Sequence, residues 1–559
     1  EMRRFPLLLV HRQQRQPPPP PFLKRKNNHG YYSTAASKGS SWRHGLSLRC
    51  YSGLVAPTDH DARELFHRMN SRPGSIITKD GSFAGDGGND MLAKYNQDWT
   101  KQYQGQSSIV VRPASTLEVS QVLSYCHERR IGVVPQGGNT GLVGGSVGHA
   151  NGQEILLSGE ALHHIHGFGD PTHGSTSILK AQAGCILQNL QDYAAQHEYF
   201  VPVDLGSKGT CQIGGNLSTN AGGSYYYRYG SLHANTMGLE VVLPDGTILN
   251  LGYDPCHLKD NTGYDMKHLF IGAEGTLGVI TNVAILCPPL PLSKGAAFLA
   301  CSSYEEVCQV MAMAKSRLGE ILAAVEFMDQ SILELVVESL SSSHHHPHHH
   351  HHDDTTTHSQ FPLSEIPKYA LLIETHGSHP EHDAEKLEDL VESAFVDGWV
   401  VDGAIAQQGQ QVQAFWKIRE SCNPTVARQG YVYKYDVSLA VTEFEDFIQE
   451  IQSSLRTLAP QALCTNWGHV MDGNLHLNIV VPGQREKDAE LYSQLEELVV
   501  QAMIRRGGSI SAEHGLGQYK NKHMTRIKDP STLQAMRRIK ALFDPHGIMN
   551  PGKYLPLEG

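Results

Sequence analysis

Two short stretches near the C-terminal end carry residues that could bind a metal ion. The first contains His469 and His476, and the second contains Glu513 followed by His514. Between the two histidines lies Asp472-Gly473-Asn474, a turn sequence that would fold His469 back toward His476. Two imidazoles and one carboxylate make a three-ligand set that leaves a position open for a substrate, as catalytic zinc sites do. These residues therefore predict a catalytic metal centre.

His514 is next to a predicted ligand and is not needed as a ligand itself. A free imidazole beside a Lewis acid is suited to act as a general base. Residues 475–481 alternate as a β-strand, which places His476 and Asn478 on one face. The alternative interpretation is structural, because a lone histidine is usually a surface residue or a satisfied core residue. Spacing alone leaves both interpretations open.

A glycine-rich segment, residues 137–146, directly follows a predicted strand at residues 132–136. Glycines allow close backbone approach and positive φ, so consecutive N–H groups can wrap an anion such as pyrophosphate. The segment is neither a GxGxxG sequence opening a long helix nor a Walker A sequence. Further glycine-rich turns follow at residues 213–216, 219–223 and 271–278. Four such segments in one region predict a cradle around one large ligand.

The length and composition set the broad class of the protein. With 559 residues, the chain is long enough for two or more domains. Its hydrophobic content of 40% and charged content of 18% are ordinary for a soluble globular protein. No apolar run approaches the roughly 20 residues that a membrane span needs. The ten cysteines are scattered without a CxxC pair, which argues against a zinc ribbon, an iron–sulfur cluster or a disulfide scaffold.

The first 51 residues have the composition of a mitochondrial transit peptide. They hold ten Lys and Arg residues and a single acid, together with many serines and a proline run. Arg49-Cys50-Tyr51-Ser52 resembles a processing-peptidase site. The alternative is a basic arm that binds nucleic acid or anionic lipid. Removal of residues 1–51 would change the formal charge from −11 to −20, so the acidic remainder argues against nucleic acid as a partner.

The rest of the chain predicts two successive α/β regions. Residues Asp90 to Gln104 suggest a polar connector, after which strands alternate with helices such as Thr116 to Arg129, which opens with a capping pattern. A proline-rich linker at residues 287–291 leads into a second α/β domain, residues 291–510. Within it, residues 341–358 form a histidine-rich, low-complexity stretch. We interpret this stretch as a surface insertion without a catalytic part, with weak metal binding as the alternative.

With these motifs in view, the chain resembles a family of flavoenzymes. It is similar to the mitochondrial D-2-hydroxyglutarate dehydrogenases of the vanillyl-alcohol-oxidase-type FAD superfamily, from about Ser107 to Pro556. The most specific stretches are residues 134–141, 259–265, 469–478 and 509–517, and residues 543–553 are also typical. These motifs are long and unlike chance matches.

The resemblance implies an α+β fold of the vanillyl-alcohol-oxidase/PCMH type with two domains. Residues 52–290 would form the FAD-binding domain, with a PCMH-type core at about 105–290. Residues 291–510 would form an α/β substrate-binding cap. Residues 511–559 would complete both the active site and the FAD-binding domain.

The resemblance also implies which residues hold FAD. They lie in the four glycine-rich segments and in the C-terminal tail. They are Pro135, Gln136, Gly137, Gly138, Asn139, Thr140, Gly141, Gly144, Gly145, Ser146, Gly214, Gly215, Asn216, Thr219, Asn220, Gly222, Gly223, Glu274, Gly275, Gly278, Val279, Ile280 and Asn550. In relatives with covalent flavin a histidine follows the paired glycines, and here Asn139 stands there. FAD is therefore expected to be non-covalent.

By motif match, His469, His476 and Glu513 would bind the metal ion, expected to be zinc, and His514 would take the substrate hydroxyl proton. The metal would bind the C2 hydroxyl and the neighbouring carboxylate of the substrate and lower the pKa of that hydroxyl. Hydride would then leave C2 for the flavin.

Three further residues match substrate contacts of the family, and a fourth stands where the family has a different residue. Arg419 and Lys434 would bind two substrate carboxylates, and Asn478 would also contact the substrate. Without the resemblance, the sequence favours a structural interpretation, with Arg419 on a solvated helix face and Lys434 as a strand residue whose charged end reaches the solvent. The family usually has threonine where this chain has Asn423, followed here by Pro424, which would disturb a helix. Asn423 can still donate a hydrogen bond, so it is retained as a substrate contact.

The expected reaction is oxidation of D-2-hydroxyglutarate to 2-oxoglutarate in the mitochondrial matrix, with electron-transfer flavoprotein as the acceptor. Homodimer formation is left open. One alternative is a D-lactate dehydrogenase of the same family, which would need fewer cations around its substrate. A second is a non-catalytic flavin-fold protein with a structural zinc.

Overall fold

A computed structural model describes residues 3–4, 53–81, 83, 88–169, 177–342, 361–406 and 408–556. The predicted transit peptide, apart from residues 3–4, and the histidine-rich residues 343–358 lie outside this described part. Three β-sheets with surrounding helices make up the described chain, which agrees with the expected α+β class. Among the described helices, none combines the length and the apolar character that a membrane crossing requires.

Seventeen strands are assigned in the described residues. They are β1 (Arg3–Arg4), β2 (Ile76–Thr78), β3 (Ile109–Val111), β4 (Gly132–Gln136), β5 (Glu154–Ser158), β6 (Ile165–Phe168), β7 (Ile178–Gln182), β8 (Thr236–Val242), β9 (Ile248–Leu251), β10 (Val279–Leu286), β11 (Ser293–Cys301), β12 (Leu322–Asp329), β13 (Tyr369–Gly377), β14 (Asp402–Ala406), β15 (Val432–Ser438), β16 (Leu463–His469) and β17 (Asn474–Val480).

Seventeen α-helices are assigned in the same residues. They are α1 (Asp59–Arg68), α2 (Gly88–Asn96), α3 (Thr116–Arg129), α4 (Leu187–Gln196), α5 (Ile213–Thr219), α6 (Tyr226–Tyr229), α7 (Leu232–Asn235), α8 (Lys267–Phe270), α9 (Tyr304–Arg317), α10 (Gln330–Ser342), α11 (Pro380–Val396), α12 (Gly409–Glu420), α13 (Cys422–Gln429), α14 (Phe444–Leu458), α15 (Ala489–Arg505), α16 (Met524–Ile527) and α17 (Pro530–Phe543).

The N-terminal half contains two small sheets. The first has the strand order β2-β3-β5-β4, in which β5 is parallel to both β3 and β4. The second is antiparallel with the order β6-β7-β10-β8-β9. Apolar side chains from each sheet and its helices form separate buried clusters. The glycine-rich segments connect these elements at residues 137–146 and 271–278.

The C-terminal half is built on one eight-stranded sheet. Its order is β1-β14-β11-β13-β12-β16-β17-β15, and the strand pairs are antiparallel. Buried apolar clusters lie on both faces of this sheet, under the helices α9, α11, α14 and α15 on one side and α10, α12 and α13 on the other. The strands β16, β17 and β15 therefore form one supported edge that can hold side chains in fixed positions.

Helix starts follow the capping signals in the sequence. The Ser115 hydroxyl accepts a hydrogen bond from the Glu118 N–H at the start of α3. At α9, Ser303 and Glu306 form a complete capping box. These contacts satisfy N–H groups that the first helical turn would leave without a partner. The predicted helix at residues 116–129 is confirmed.

The polar connector predicted for residues 90–104 is wrong over its first part. Helix α2 occupies residues 88–96, and its Leu92 and Tyr95 side chains are buried against the first small sheet. The two side chains are three residues apart and so share one helix face. In the sequence, this amphipathic pattern is short and is surrounded by polar residues, so it did not indicate a helix.

The C-terminal tail returns to the N-terminal half. Val133 in β4 donates to the Ile548 carbonyl, and Asn550 donates back to the Val133 carbonyl. Ile548 and Met549 are fully buried in the core of the four-stranded sheet. The chain end thus packs beside the strand that leads into the first glycine-rich segment.

A buried polar network joins the two halves. The Glu374 carboxyl group on β13 accepts from the Tyr225 hydroxyl at 3.1 Å, the Trp416 indole at 2.9 Å and the His376 Nε2 at 3.1 Å. The other ring nitrogen of His376 lies 2.7 Å from the Tyr229 hydroxyl. Burial lowers the pKa of His376, so its neutral ring can donate to Glu374 and accept from Tyr229. The unusual tyrosine run at residues 225–227 thus supplies one contact between the halves.

Candidate active site

The edge strands β15 and β17 place four polar side chains in register. Lys434 is directly opposite Asn478, and Asp436 is directly opposite His476. Residues two apart on a strand share a face, so all four side chains lie on the same side of the sheet. Opposed side chains of an antiparallel pair are close neighbours. The predicted common face of His476 and Asn478 is therefore confirmed.

The turn between β16 and β17 brings the two histidines together as predicted. Gly473 has φ of +80°, and the Asn474 N–H donates to the Asp472 carboxylate at 3.1 Å. A positive φ is easily adopted only by glycine, so this position suits the tight turn. The ring centroids of His469 and His476 lie 5.4 Å apart.

The loop of residues 511–517, named here the Glu513 loop, lies against this edge. The His476 Nε2 is 3.7 Å from a Glu513 carboxylate oxygen, and the His514 Nε2 is 4.0 Å from the same oxygen. Four side chains place one donor atom each within 4.8 Å of all the others, and they are Asp436, His476, Glu513 and His514. The predicted ligand His469 lies beside this donor cluster rather than within it.

The donor cluster fits a divalent metal ion. Two donor atoms bound to one zinc ion at about 2.1 Å each can be at most about 4.2 Å apart. The separations from Glu513 to the two imidazoles meet this condition. Imidazole and carboxylate are also the donors that zinc prefers outside thiolate sites. The residues present are therefore compatible with zinc.

The imidazoles of the site differ in their protonation. Burial and the neighbouring His469 hold the pKa of His476 well below its usual value. Burial also lowers the pKa of His514, although Asp436 and Glu513 oppose the shift. Burial would lower the pKa of His469 too, but nearby carboxylates, led by Glu326, raise it above its usual value. At neutral pH His476 can act as a ligand, and His514 can accept a proton.

Arg419 is buried on α12 and bound by a carboxylate that the sequence motifs do not include. Its Nε donates to Glu326 on β12 at 2.6 Å. The other oxygen of Glu326 lies 3.7 Å from the His469 Nε2 and has no hydrogen-bond partner among the described residues. Glu326 thus links the predicted carboxylate-binding arginine to the predicted metal ligand.

Lys434 and Asn423 contact each other. The Lys434 ammonium donates to the Asn423 side-chain oxygen at 3.2 Å, and burial lowers the pKa of Lys434. Pro424 does not break a helix here, because α12 ends at Glu420 and Pro424 lies in the first turn of α13. The first helical turn has no partner for its N–H groups, so proline is tolerated there.

A large cavity lies between the glycine-rich segments and the Glu513 loop. It has an empty volume of about 1040 Å³, and His514 lines it together with most of the predicted FAD-binding residues. The Gly138 position shows why glycine is needed, because a Cβ atom there would lie 2.0 Å from the Thr210 carbonyl oxygen. Glycine at this position therefore lets the first glycine-rich segment pack directly against the Thr210 backbone.

Asn139 is held by its own surroundings. Its side-chain amide donates to the Gln97 carbonyl at 2.8 Å and accepts from the Ser146 hydroxyl at 2.7 Å. Its φ is +53°, a conformation that asparagine adopts more readily than most residues. These bonds fix the Asn139 side chain, and the non-covalent binding of FAD that the resemblance implies stays a prediction.

Five predicted FAD-binding residues lie beside the cavity rather than along it. Gly144 packs on the Tyr103 ring, and Asn220 faces a separate cavity. Gly222 and Gly223 contact Glu513, whose carboxylate accepts from the Gly223 N–H at 2.9 Å. The fifth, Asn550, donates to the carbonyls of Gly145 and Glu274.

Several lining residues were not predicted. They are Val143, Leu157, Gly159, Leu162, Ala183, Cys211, Gln212 and Ser218. Most are small or apolar residues, which look like ordinary core residues in the sequence. Asp436 had a usable signal, because it lies two residues after Lys434 on a predicted strand. Glu326 had none, since its place depends on long-range strand pairing.

Two family models match the chain. The model described as "FAD binding domain" matches residues 107–252, and the model described as "FAD linked oxidases, C-terminal domain" matches residues 290–554. Two solved structures share the fold. An alkyldihydroxyacetonephosphate synthase has a TM-score of 0.66 at 15% identity, covering 90% of this chain and 86% of that one. A p-cresol methylhydroxylase has a TM-score of 0.65 at 15% identity, covering 89% and 97%.

Curated relatives cover most of the chain. The mitochondrial D-2-hydroxyglutarate dehydrogenase of Danio rerio is 43% identical over 84% of this chain and 82% of its own length. The protein of the same name from Rattus norvegicus is 42% identical over 87% and 83%. A D-2-hydroxyglutarate–pyruvate transhydrogenase of Saccharomyces cerevisiae is 38% identical over 83% and 90%. These matches confirm the predicted fold and the FAD-dependent dehydrogenase class. The chain belongs to the D-2-hydroxyglutarate dehydrogenase family of FAD-linked oxidases.

Proposed function

We propose that this protein oxidises D-2-hydroxyglutarate to 2-oxoglutarate. The observation that carries the proposal is the position of His514. This imidazole lines the flavin cavity and also belongs to the donor cluster on the edge of the eight-stranded sheet. A proton acceptor, a candidate metal site and the place for a hydride acceptor therefore meet at one point. The names of the Danio rerio and Rattus norvegicus relatives support the choice of substrate.

Two cations would hold the dicarboxylate. Arg419 can present its free guanidinium nitrogens to a carboxylate while Glu326 binds its Nε. Lys434 contacts Asn423. Burial is the main cause of the lowered pKa of His514, and Lys434 is close enough for its charge to add to that lowering. Asn478, opposite Lys434, can donate from its amide to the same substrate. We assign Arg419 and Lys434 to the carboxylates and Asn423 and Asn478 to supporting contacts.

His514 would accept the hydroxyl proton. Its lowered pKa keeps the ring neutral at pH 7, so a nitrogen lone pair is available. His469, His476 and Glu513 would hold a zinc ion. Bound zinc supplies positive charge beside the C2 hydroxyl, and bound FAD supplies the hydride acceptor. The substrate loses a hydride from C2 and a proton from its hydroxyl group, which leaves the 2-oxo acid.

A turnover comparison tests the proposal. D-2-hydroxyglutarate, D-lactate and D-malate are each oxidised with an artificial acceptor dye by the purified flavoprotein. We expect the highest kcat/KM for D-2-hydroxyglutarate. A preference for D-lactate would contradict the diacid assignment, and no turnover of any of the three would favour a non-catalytic flavin-fold protein.

The second candidate is oxidation of D-lactate. The observation that favours it is the name of the Saccharomyces cerevisiae relative, which includes pyruvate as a reactant. D-lactate is the reduced partner of pyruvate, so that site must accept a monocarboxylate as well. The half-buried Lys434 favours the diacid in this chain, because a monocarboxylate leaves one cation unpaired.

Substitution of Lys434 by alanine tests the second carboxylate contact. Removing one partner of a buried charge contact costs roughly 2–5 kcal/mol. We therefore expect kcat/KM for D-2-hydroxyglutarate to fall at least about tenfold, and the lower activity on D-lactate to fall less. Steady-state kinetics on both substrates measure the difference.

A matched control is Lys417→Ala, which removes an exposed lysine from the helix that carries Arg419. It should leave both activities close to wild type. Equal losses on the two substrates in Lys434→Ala would show that Lys434 serves the shared carboxylate or the fold instead.

We further propose a mitochondrial location, in the matrix, with electron-transfer flavoprotein as the electron acceptor. The location is supported by the names of the relatives and by the basic composition of residues 1–51. Reduced flavin must pass its electrons to some acceptor, and the family resemblance implies electron-transfer flavoprotein for that part. Reduction of purified electron-transfer flavoprotein during substrate turnover tests the pairing.

Sedimentation of the purified protein tests for a homodimer.

A further inference from the structure

The Glu513 loop is held by a buried carboxylate through its backbone. One oxygen of Asp436 accepts hydrogen bonds from the N–H groups of Ala512 at 3.1 Å, Glu513 at 2.9 Å and His514 at 2.9 Å. Asp436 lies on β15 and is 1% exposed. Bonds from N–H groups to a charged acceptor are stronger than neutral ones. Asp436 therefore fixes the backbone of both chemically important residues in the loop.

A second buried carboxylate holds the other end of the loop. The two oxygens of Glu274 accept from the Leu516 N–H at 2.7 Å and the Gly517 N–H at 2.8 Å. Between the two contacts lies Gly515, where a Cβ atom would be 2.7 Å from a Glu274 oxygen and φ is +82°. Glycine is needed here for the close approach and for the backbone conformation. Five N–H groups of the Glu513 loop are thus bound by two carboxylates.

The two carboxylates come from different halves of the protein. Asp436 belongs to the eight-stranded sheet that carries the predicted metal and substrate residues. Glu274 lies between α8 and β10 and lines the flavin cavity. The Glu513 loop is consequently attached to both sides of the active site at once. The position of this loop therefore determines where the proposed proton acceptor lies relative to the flavin cavity and to the proposed metal ligands.

Asp436 also faces the rings of the donor cluster. Its oxygens lie 3.7 Å from the His476 Nδ1 and 3.8 Å from the His514 Nδ1. The Lys520 ammonium is 3.9 Å away and partly balances the charge. A carboxylate behind a ligating imidazole fixes its tautomer and ring orientation, and loss of such a partner typically weakens metal binding. Asp436 is therefore placed to orient His476 with its Nε2 toward Glu513.

We propose that Asp436 and Glu274 are positioning residues that hold the Glu513 loop between the two halves of the active site. Asp436 sets the loop against the metal ligands, and Glu274 sets it against the flavin cavity. The part of this inference that concerns metal binding rests on the proposed function. The part that concerns the position of the loop rests on the hydrogen bonds alone. It also gives Glu274 a different role from the FAD contact that the sequence motif predicts.

Asp436→Asn tests the first residue. An amide carries no charge and has one acceptor oxygen, so the three loop N–H groups lose their charged acceptor in either orientation of the amide. The Asn474 side chain donates to the other oxygen of Asp436 at 2.8 Å and is affected as well. In the flavin-loaded protein we expect hydrogen exchange of the amides at residues 512–514 to accelerate at least about tenfold. Zinc affinity of the metal-depleted flavoprotein should fall about 10–100-fold, while flavin absorbance stays unchanged.

Glu274→Gln and Asp329→Asn are the companion variants. In Glu274→Gln the faster exchange should appear at Leu516 and Gly517, with zinc affinity within about threefold of wild type. Asp329 is a buried carboxylate of the same sheet that accepts from Asn466 and Ile332, away from the loop. Asp329→Asn should change neither loop exchange nor zinc affinity, although it can lower stability.

The wild-type protein gives a test that needs no variant. Its amides at 512–514, 516 and 517 lie outside helices and strands, yet they should exchange at least about tenfold more slowly than a freely solvated loop. Fast exchange of these amides in the wild type would overturn the proposal even if a variant fails to fold. Unchanged exchange and unchanged zinc affinity in Asp436→Asn would overturn it as well. If the wild type binds no zinc, the metal assignment fails, and the exchange results still decide the role of the two carboxylates.

Discussion

Exhaustive chelation is expected to abolish turnover while the yellow flavin stays bound. The donor cluster of Asp436, His476, Glu513 and His514 lies at the strand edge, whereas the glycine-rich segments form the rest of the flavin cavity. The three proposed ligands, His469, His476 and Glu513, leave the rest of the coordination shell open, so a chelator can remove the metal ion. The charge of a bound ion is worth several kcal/mol in a reaction of this kind, so turnover should fall by at least about 100-fold. Zinc added back should restore it.

The experiment is read by dye reduction and by flavin absorbance in the same sample. A matched variant is Glu513→Gln, which keeps an oxygen for the Gly223 N–H but removes the charged ligand. After chelation, this variant should need far more zinc than the wild type for the same recovery. Full activity in a verified metal-free preparation would falsify the zinc hypothesis.

Substitution of His514 by asparagine is expected to lower the rate of flavin reduction about 10²–10⁴-fold, the usual worth of a general base. Asparagine retains the backbone N–H that bonds Asp436 but has no nitrogen lone pair to accept the hydroxyl proton. Flavin and zinc contents should stay near wild type, which separates proton transfer from metal binding. Stopped-flow reduction by D-2-hydroxyglutarate measures the rate.

His523→Asn is the control for loss of a buried imidazole. His523 hydrogen-bonds Glu496 at 3.0 Å, outside the donor cluster. The control should keep the wild-type reduction rate even if stability falls. If His514→Asn retained more than half of the wild-type rate, His514 would not be the base. A loss of zinc along with activity would instead make His514 a ligand.

The sequence predicted the residues of the site that lie close together along the chain. His469 and His476 flank one turn, and Glu513 and His514 are adjacent, so a local pattern was enough to find them. Glu326 was missed because it reaches the site through strand pairing across the sheet, whereas Asp436 could have been found from its position two residues after Lys434 on one strand. A single sequence contains no local sign of which strands become neighbours.

The glycine-rich pattern located the flavin cavity but not every contact within it. Glycine marks close approach of the backbone without saying what approaches. At Gly138 the neighbour is the Thr210 carbonyl, and at Gly223 the N–H binds Glu513. Helix α2 was missed for a related reason, since its apolar pattern is short, with Leu92 and Tyr95 buried in the core and Met91 partly buried beside them.

The buried network around Glu374 has a consequence for how the protein unfolds. Separating the two halves would leave Glu374 and His376 without their partners Tyr225 and Tyr229. A hydrogen bond to a charged group contributes a net 1.5–3 kcal/mol, roughly, even after exchange for water, so parting the halves while each stays folded is unfavourable. The halves should therefore melt together, and calorimetry should record one cooperative transition in place of two. Tyr225→Phe, which removes the hydroxyl that donates to Glu374, should lower the midpoint temperature of that transition.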